Sequence, residues 1–440
     1  MRSLFAVIVV ILLIVIATVT FALWPTHTRA IVANDDLSNS ALVEEGRYLA
    51  VAGDCAACHT APDGQPFAGG LSIASPIGNI YSTNITPDHD TGIGAYSLDD
   101  FDRAIRHGIV RTGGTLYPAM PYPSYARISD HDVSALYAFF LHGVTPVHAQ
   151  NRPTDIRWPL SSRWPLAIWR KWFAPDPEQV QADGARYNDL VVRRGSYLVQ
   201  GLGHCGSCHT PRAVTLQEKA LDERGADYLS GGPVIDGWSS VNLRGNTADG
   251  LGASSLDEIA RLLKSARNTS QAVVGSAMGD VITHSTQFMH DDDLTAIATY
   301  LKTLPASAKT TATFNADAST ATALRSGIAA SRGAELYADS CAACHRSDGN
   351  GYANVFPKIA GNATALSSNP ATLIRLILGG SKLPSTPSAP SPLGMPGFAY
   401  RLSDVEVAQL ATFIRQSWGN HADAVVESDV RKVRAALHVK

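Results

Sequence analysis

Cys55-Ala56-Ala57-Cys58-His59, Cys205-Gly206-Ser207-Cys208-His209 and Cys341-Ala342-Ala343-Cys344-His345 are three copies of one five-residue pattern. In Cys-x-x-Cys-His the two thiols are spaced to form thioethers with the vinyl groups of one porphyrin, and the histidine that follows lies close enough to ligate its iron. A single Cys-x-x-Cys also suits zinc or a thioredoxin-like redox centre. Here the three motifs consume all six cysteines of the chain. A zinc site needs further Cys or His partners, and a disulfide framework does not place a histidine after every second cysteine. The pattern therefore predicts three covalently bound haem c groups. Cys55, Cys58, Cys205, Cys208, Cys341 and Cys344 are the expected attachment points, and His59, His209 and His345 the expected iron ligands.

At 440 residues the chain has room for about three domains of roughly 150 residues, one per motif. Charged residues make up 17% of it and hydrophobic ones 45%, with a net charge of −3. The charged share lies below the roughly 25% usual for soluble proteins. That composition suits apolar cofactors and a membrane or protein partner, and it offers no basic field for nucleic acid. From Leu4 to Trp24 there is no charged residue. As a helix this stretch covers about 31 Å, close to the roughly 30 Å hydrocarbon core of a bilayer. It reads as a transmembrane anchor, longer than the apolar core of a cleaved signal; the alternative cleavage candidate is Thr28-Arg29-Ala30. On either reading the haem domains face the periplasm at the bacterial inner membrane.

Repeats surround the motifs. Gly46-Arg47-Tyr48-Leu49, Gly195-Ser196-Tyr197-Leu198, and Gly333 with Leu336 and Tyr337, precede them in turn. Each reads as a helix in which glycine admits a second helix and tyrosine fills the crossing. Asn84-Ile85-Thr86-Pro87, Gly92-Ile93-Gly94 and Leu98-Asp99-Asp100-Phe101 recur in the second unit as Asn242-Leu243, Gly250-Leu251-Gly252 and Leu256-Asp257-Glu258-Ile259. Without a strand–helix context this Gly-x-Gly is a turn and not a nucleotide site. The third unit has Phe356-Pro357-Lys358-Ile359-Ala360-Gly361-Asn362 instead. Apolar residues at helical spacing then predict three closing helices: Val133, Leu136, Tyr137 and Phe140; Leu294, Ile297, Ala298 and Leu301; Val407, Leu410, Ala411 and Ile414. Ser129 with Asp132 and Ser403 with Glu406 form capping-box pairs, with His290 or Asp291 in that place in the second unit.

This register selects the methionines. A thioether opposite the histidine is the usual sixth ligand of an electron-transfer haem. Met120 lies eight residues before Ile128, and Met395 seven before the equivalent Leu402, both in proline-bearing loops. Met289 falls on the Ile128 and Leu402 position itself, which makes it an apolar staple and leaves Met278 as the ligand of the second iron. His284 is the other candidate there. His107, His131 and His142 receive no role. The expected ligand set is therefore His59 with Met120, His209 with Met278, and His345 with Met395.

The resulting division is an anchor or signal over 1–25, a first haem domain over 40–148, and a Pro/Trp-rich linker over 149–185. A second domain follows over 186–305, an Ala/Ser/Thr linker over 306–326, a third domain over 327–419 and a tail over 420–440. Pro146 to Pro177 holds six prolines and four of the seven tryptophans. It is expected to pack on a domain through Trp158, Trp164, Trp169 and Trp172, with Arg157, Arg163 and Arg170 within reach of haem propionates or a membrane interface. The second linker reads as a looser spacer. The tail, with Val426, Val430, Val433 and Leu437 at helical spacing, suits a partner, a membrane surface or the end of the last domain.

Together, the three motifs, Asn84-Ile85-Thr86-Pro87 with Gly92-Ile93-Gly94, Ala119-Met120-Pro121-Tyr122-Pro123-Ser124-Tyr125, Trp164-Pro165-Leu166-Ala167 and Met395-Pro396-Gly397-Phe398 carry a resemblance. From Glu44 to Asn420 the chain resembles the trihaem cytochrome c subunits of membrane-bound periplasmic alcohol, aldehyde, gluconate and fructose dehydrogenases. The resemblance implies an all-α fold of three tandem class I cytochrome c-like domains behind the N-terminal transmembrane or signal helix. It also implies a catalytic dehydrogenase partner of quinoprotein, flavoprotein or molybdenum type, and delivery of electrons to ubiquinone.

The residues support transfer on their own. Three His/Met-ligated haems in one chain form a wire, and no nucleophile, paired carboxylate or organic-cofactor fingerprint makes the chain a substrate-oxidising catalyst. Two rival classes remain: a multihaem reductase or peroxidase with one open iron, for which the second unit is the place to look, and a freestanding periplasmic carrier, against which a retained anchor argues.

Overall fold

The computed structural model describes residues 2–26, 28–31, 36–184, 186–235, 237–268, 272–308 and 312–437. The described chain is mainly helical, as expected, with strands of two to four residues paired into antiparallel two-stranded sheets. Its longest element is the N-terminal helix Arg2–Leu23. The chain divides into two compact units, Met1–Arg186 with Gly201–His204, and Tyr187–Gln200 with Cys205–Lys440. The first unit holds one attachment motif, and the second holds two.

Around every motif the same helix pair recurs. A leading helix ends just before the cysteines, and a closing helix crosses it. These pairs are Ser40–Ala52 with Asp130–Ala138, Leu190–Tyr197 with Asp291–Thr303, and Arg332–Ser340 with Asp404–Gln416. At each crossing the expected glycine is pressed against the partner backbone. A Cβ on Gly46 would lie 1.9 Å from Ala135 O, one on Gly195 2.0 Å from Ala296 O, and one on Gly333 2.3 Å from Gln409 O. Four residues after each of those carbonyls comes an aromatic whose Cβ also flanks the glycine: Phe139, Tyr300 and Phe413. The tyrosines do not behave alike. Tyr337 is fully buried while Tyr48 and Tyr197 are half-buried, because they stand two residues after the glycine and Tyr337 four; the shared buried position is Leu49, Leu198 and Leu336.

Local signals set the helix ends. Ser129 accepts from Asp132 N, and Ser403 and Glu406 form a reciprocal capping box. His290 is the N-cap of its helix but makes no side-chain capping bond. Two further reciprocal boxes, Ser97 with Asp100 and Ser255 with Glu258, start the helices Leu98–His107 and Leu256–Ser265, where the repeated leucine-acid-acid sequence begins. Past its last helical turn the first closing helix widens into a π-helical turn, Phe139–Gly143.

Three expectations are refined. First, the 149–185 segment packs on the first unit as expected, but it is itself helical over Trp164–Phe173 and Pro177–Gly184. Its start is tied to the hairpin Ser72–Ser75/Gly78–Tyr81 by Tyr81 Oη donating to Asp155 at 2.6 Å. Second, the 306–326 spacer is not loose throughout. Thr313–Phe314 pairs with Asn420–His421, and Ser319–Arg325 is a helix. Third, the tail closes the last domain. Helix Glu427–Ala436 buries Val430 and Val433 in the core formed by Tyr337, Ile374, Leu378, Leu410 and Ile414. Arg434 fastens it by donating to Asp404 at 2.6 Å and to the carbonyls of Ala399 and Leu402.

Overpacking a tight crossing costs about 1–3 kcal/mol. Gly333→Leu is therefore expected to lower the midpoint of thermal unfolding by several degrees, while Ala338→Leu on the exposed side of the same helix leaves it in place. An unchanged midpoint for Gly333→Leu would show that the crossing tolerates a side chain.

Candidate haem-attachment sites

Each motif winds one short turn of helix, Cys55–His59, Gly206–His209 and Ala342–His345; the first and third follow their leading helices directly, and the second follows a π-helical turn, Leu198–Leu202. Its first cysteine is the less exposed of the pair, and all six thiols are free of disulfides. Burial pushes the thiols of Cys55, Cys205 and Cys341 up to about 12, so they rest as neutral thiols.

The three histidines are held alike. Nδ1 of His59 lies 2.7 Å from Thr83 O, that of His209 2.8 Å from Val241 O, and that of His345 2.9 Å from Pro357 O. A carbonyl can only accept, so Nδ1 carries the proton and Nε2 keeps its lone pair for a metal. Burial lowers all three imidazole pKa values, which favours the neutral form a metal needs. A second bond fixes each histidine backbone. The N–H groups of Gly69, Gly231 and Gly351 donate to the carbonyls of His59, His209 and His345 at 2.7, 3.0 and 3.1 Å.

The accepting carbonyls are placed by the repeated loops. Thr83 precedes Asn84, whose buried amide donates to Thr91 and to Val147 O and accepts from the N–H and hydroxyl of Thr86. Val241 precedes Asn242, which accepts from Arg244 N and donates to Asn246. The Gly-x-Gly segments close these loops as turns, Ile93 N donating to Thr86 O and Leu251 N to Arg244 O. Pro357 belongs to the segment that replaces this loop in the third unit. Thr83, Val241 and Pro357 are the functional positions that sequence reasoning missed. The loops holding them were visible as a repeat, but a backbone acceptor has no side-chain signature.

Backbone pairing also relates the methionines. Leu116 N donates to Gly108 O at 2.9 Å, and Val274 N to Ala266 O at 2.8 Å. The bridge between Ile109 and Thr115 matches that between Arg267 and Val273. Met120 and Met278 each stand four residues past these donors, so they occupy equivalent positions. Met120 lies in a loop while Met278 lies in the helix Ser276–His284. Met395 is in a short strand paired with Ser381, not in a free loop. All three are half-buried. Met289 is buried like its counterparts Ile128 and Leu402, as its assignment as a staple requires. His284 is exposed at the last turn of the helix that carries Met278, and six residues place the two about 120° apart around that helix. His107 is half-buried beside Asp102, His131 pairs with Glu45 at 3.0 Å, and His142 is exposed.

Two thiols and one neutral imidazole with an available Nε2, repeated three times, form a donor set that fits covalently bound haem. Comparison with known proteins agrees. The sequence model of the family described as cytochrome c matches residues 43–143 and 330–418. Over 404 residues, 91% of each chain, the protein is 54% identical to the gluconate 2-dehydrogenase cytochrome c subunit of Pantoea cypripedii. It is 52% identical to the cytochrome c subunit of the quinone-type alcohol dehydrogenase of Gluconacetobacter polyoxogenes, over 90% of this chain and 85% of that one. Identity to the fructose dehydrogenase cytochrome subunit of Gluconobacter japonicus is 39%, over 89% and 82% respectively.

Asn84→Ala strips a buried network that sets the Thr83 carbonyl, at an expected cost of about 1–3 kcal/mol. Limited proteolysis should then cut first within 84–94. A cleavage pattern identical to the wild type would show that the loop holds its shape without the amide.

Proposed function

Because the chain belongs to the family of cytochrome c subunits of dehydrogenase complexes, we propose that it carries three haem c groups and passes electrons from a catalytic dehydrogenase subunit to membrane ubiquinone. The observation that carries this reading is the threefold identity of the sites: a cysteine pair, a histidine whose Nδ1 is committed to a backbone carbonyl, and a methionine in the segment before the closing helix. When bound, haem c supplies a one-electron iron couple whose potential is set by its ligands and burial.

The chain's residues divide the work. Cys55, Cys58, Cys205, Cys208, Cys341 and Cys344 attach the groups. His59, His209 and His345 would ligate the iron through Nε2, oriented by Thr83, Val241 and Pro357. Met120, Met278 and Met395 would supply the thioether ligands. A haem held by both would suit electron transfer and offer no site for substrate. The N-terminal segment Leu4–Leu23, with mean hydropathy 3.2 and its side chains exposed from Leu4 to Ala17, supports a retained anchor with the haem domains in the periplasm. The partner is a dehydrogenase subunit of quinoprotein, flavoprotein or molybdenum type.

Magnetic circular dichroism of the oxidised protein tests the ligand set. Wild type should show methionine-to-iron charge-transfer bands from all three haems. Met278→Leu should lose about one third of that intensity, and Met289→Leu none. A high-spin haem in the wild type would favour an enzyme with an open iron, and an unchanged Met278→Leu spectrum would remove Met278 as a ligand.

A further inference from the structure

The Trp164–Phe173 helix has two faces with different fates. Trp169 turns inward, its ring 6.2 Å from that of Tyr122 and 5.4 Å from that of Phe173. Arg170 beside it is buried and donates to Thr26 at 2.9 Å. Trp164, Ile168 and Trp172 recur every fourth residue, which places them on one stripe. Trp164 and Trp172 are 43% and 68% exposed, and Trp158, just upstream, is 82% exposed. Scattered apolar residues on a surface need no explanation, whereas an aromatic cluster does.

Its position gives the explanation. Lys171 reaches the end of the apolar N-terminal helix, donating to Phe21 O at 2.5 Å and to Trp24 O at 2.8 Å, with its ammonium 4.9 Å from the Phe21 ring centre. Trp24 is itself 63% exposed. If Leu4–Leu23 fills the hydrocarbon core, its last turn marks the bilayer boundary, and Lys171 holds the tryptophan helix at that level. Tryptophan with flanking Lys or Arg is the side-chain set favoured at the headgroup layer. Exposed Arg157 and Arg163 adjoin the patch.

We propose that Trp24, Trp158, Trp164 and Trp172 lie in the headgroup layer of a lipid bilayer, so that the first unit rests on the membrane through an in-plane helix as well as through its anchor. The same helix touches the Met120 segment, through Trp169 on Tyr122 and Arg163 4.7 Å from the ring centre of Tyr117. It therefore seats the first haem-attachment unit, and this segment in particular, against the lipid surface. The inference rests on the membrane reading of the N-terminal helix given above.

The test uses the full-length, haem-loaded protein in phosphatidylcholine vesicles carrying a diazirine near the glycerol end of one acyl chain, with crosslinked peptides mapped by mass spectrometry. Lipid adducts are expected in 157–173 as well as in 4–24. In Trp158→Ser/Trp164→Ser/Trp172→Ser the 157–173 adducts should fall at least tenfold, with haem content and the 4–24 adducts unchanged. Adducts confined to 4–24, or undiminished in the triple variant, overturn the inference while leaving the anchor in place. Adducts in neither segment overturn both.

Discussion

The fold rests on a backbone-to-backbone approach of two helices at a glycine. Wherever this chain builds an attachment site, a leading helix and a closing helix meet so closely that Gly46, Gly195 or Gly333 faces a carbonyl of its partner with no room for a Cβ. Close approach lets short helices bury their apolar stripes without large side chains at the crossing. It also holds each leading helix, whose end is followed by the cysteines at once in the first and third units and after a π-helical turn in the second. Loss of the crossing would release both the motif and the closing helix that follows the methionine segment.

A second constraint acts on the histidine. Attachment through two cysteines leaves the imidazole free to turn about its own bonds. The carbonyls of Thr83, Val241 and Pro357 remove that freedom and select the tautomer. In the first two sites the carbonyl is held by a buried asparagine loop, and in the third by a proline-containing segment. The same geometry is thus reached by two local solutions, which explains why the third unit is the shortest. On the first unit, the packing of Trp169 and Arg163 against Tyr122 and Tyr117 couples the methionine segment to the helix beside the N-terminal apolar helix.

Much of this was legible in the sequence, for physical reasons that differ by feature. The Cys-x-x-Cys-His motifs and the crossing glycines are strict because covalent and steric demands admit few residues. The proposal of Met278 over Met289 came from the shared register of the closing helices, and the paired backbone bonds of Leu116 and Val274 align Met278 with Met120. What stayed hidden depends on contacts distant in sequence. No pattern in Thr313–Phe314 announces pairing with Asn420–His421, and the tail's valines suit a membrane as well as the core in which Val430 and Val433 are buried. Proline and tryptophan suggested that 149–185 would pack, but its helices depend on the surface they dock against.

The central claim is that all three sites hold covalent haem in one chain. Intact-mass measurement of the denatured protein, purified from a host with c-type haem attachment, tests it directly. The account predicts a single species heavier than the polypeptide by three haems, falling to two when Cys205 and Cys208 are both replaced by alanine. A wild-type species carrying two haems or fewer would contradict it.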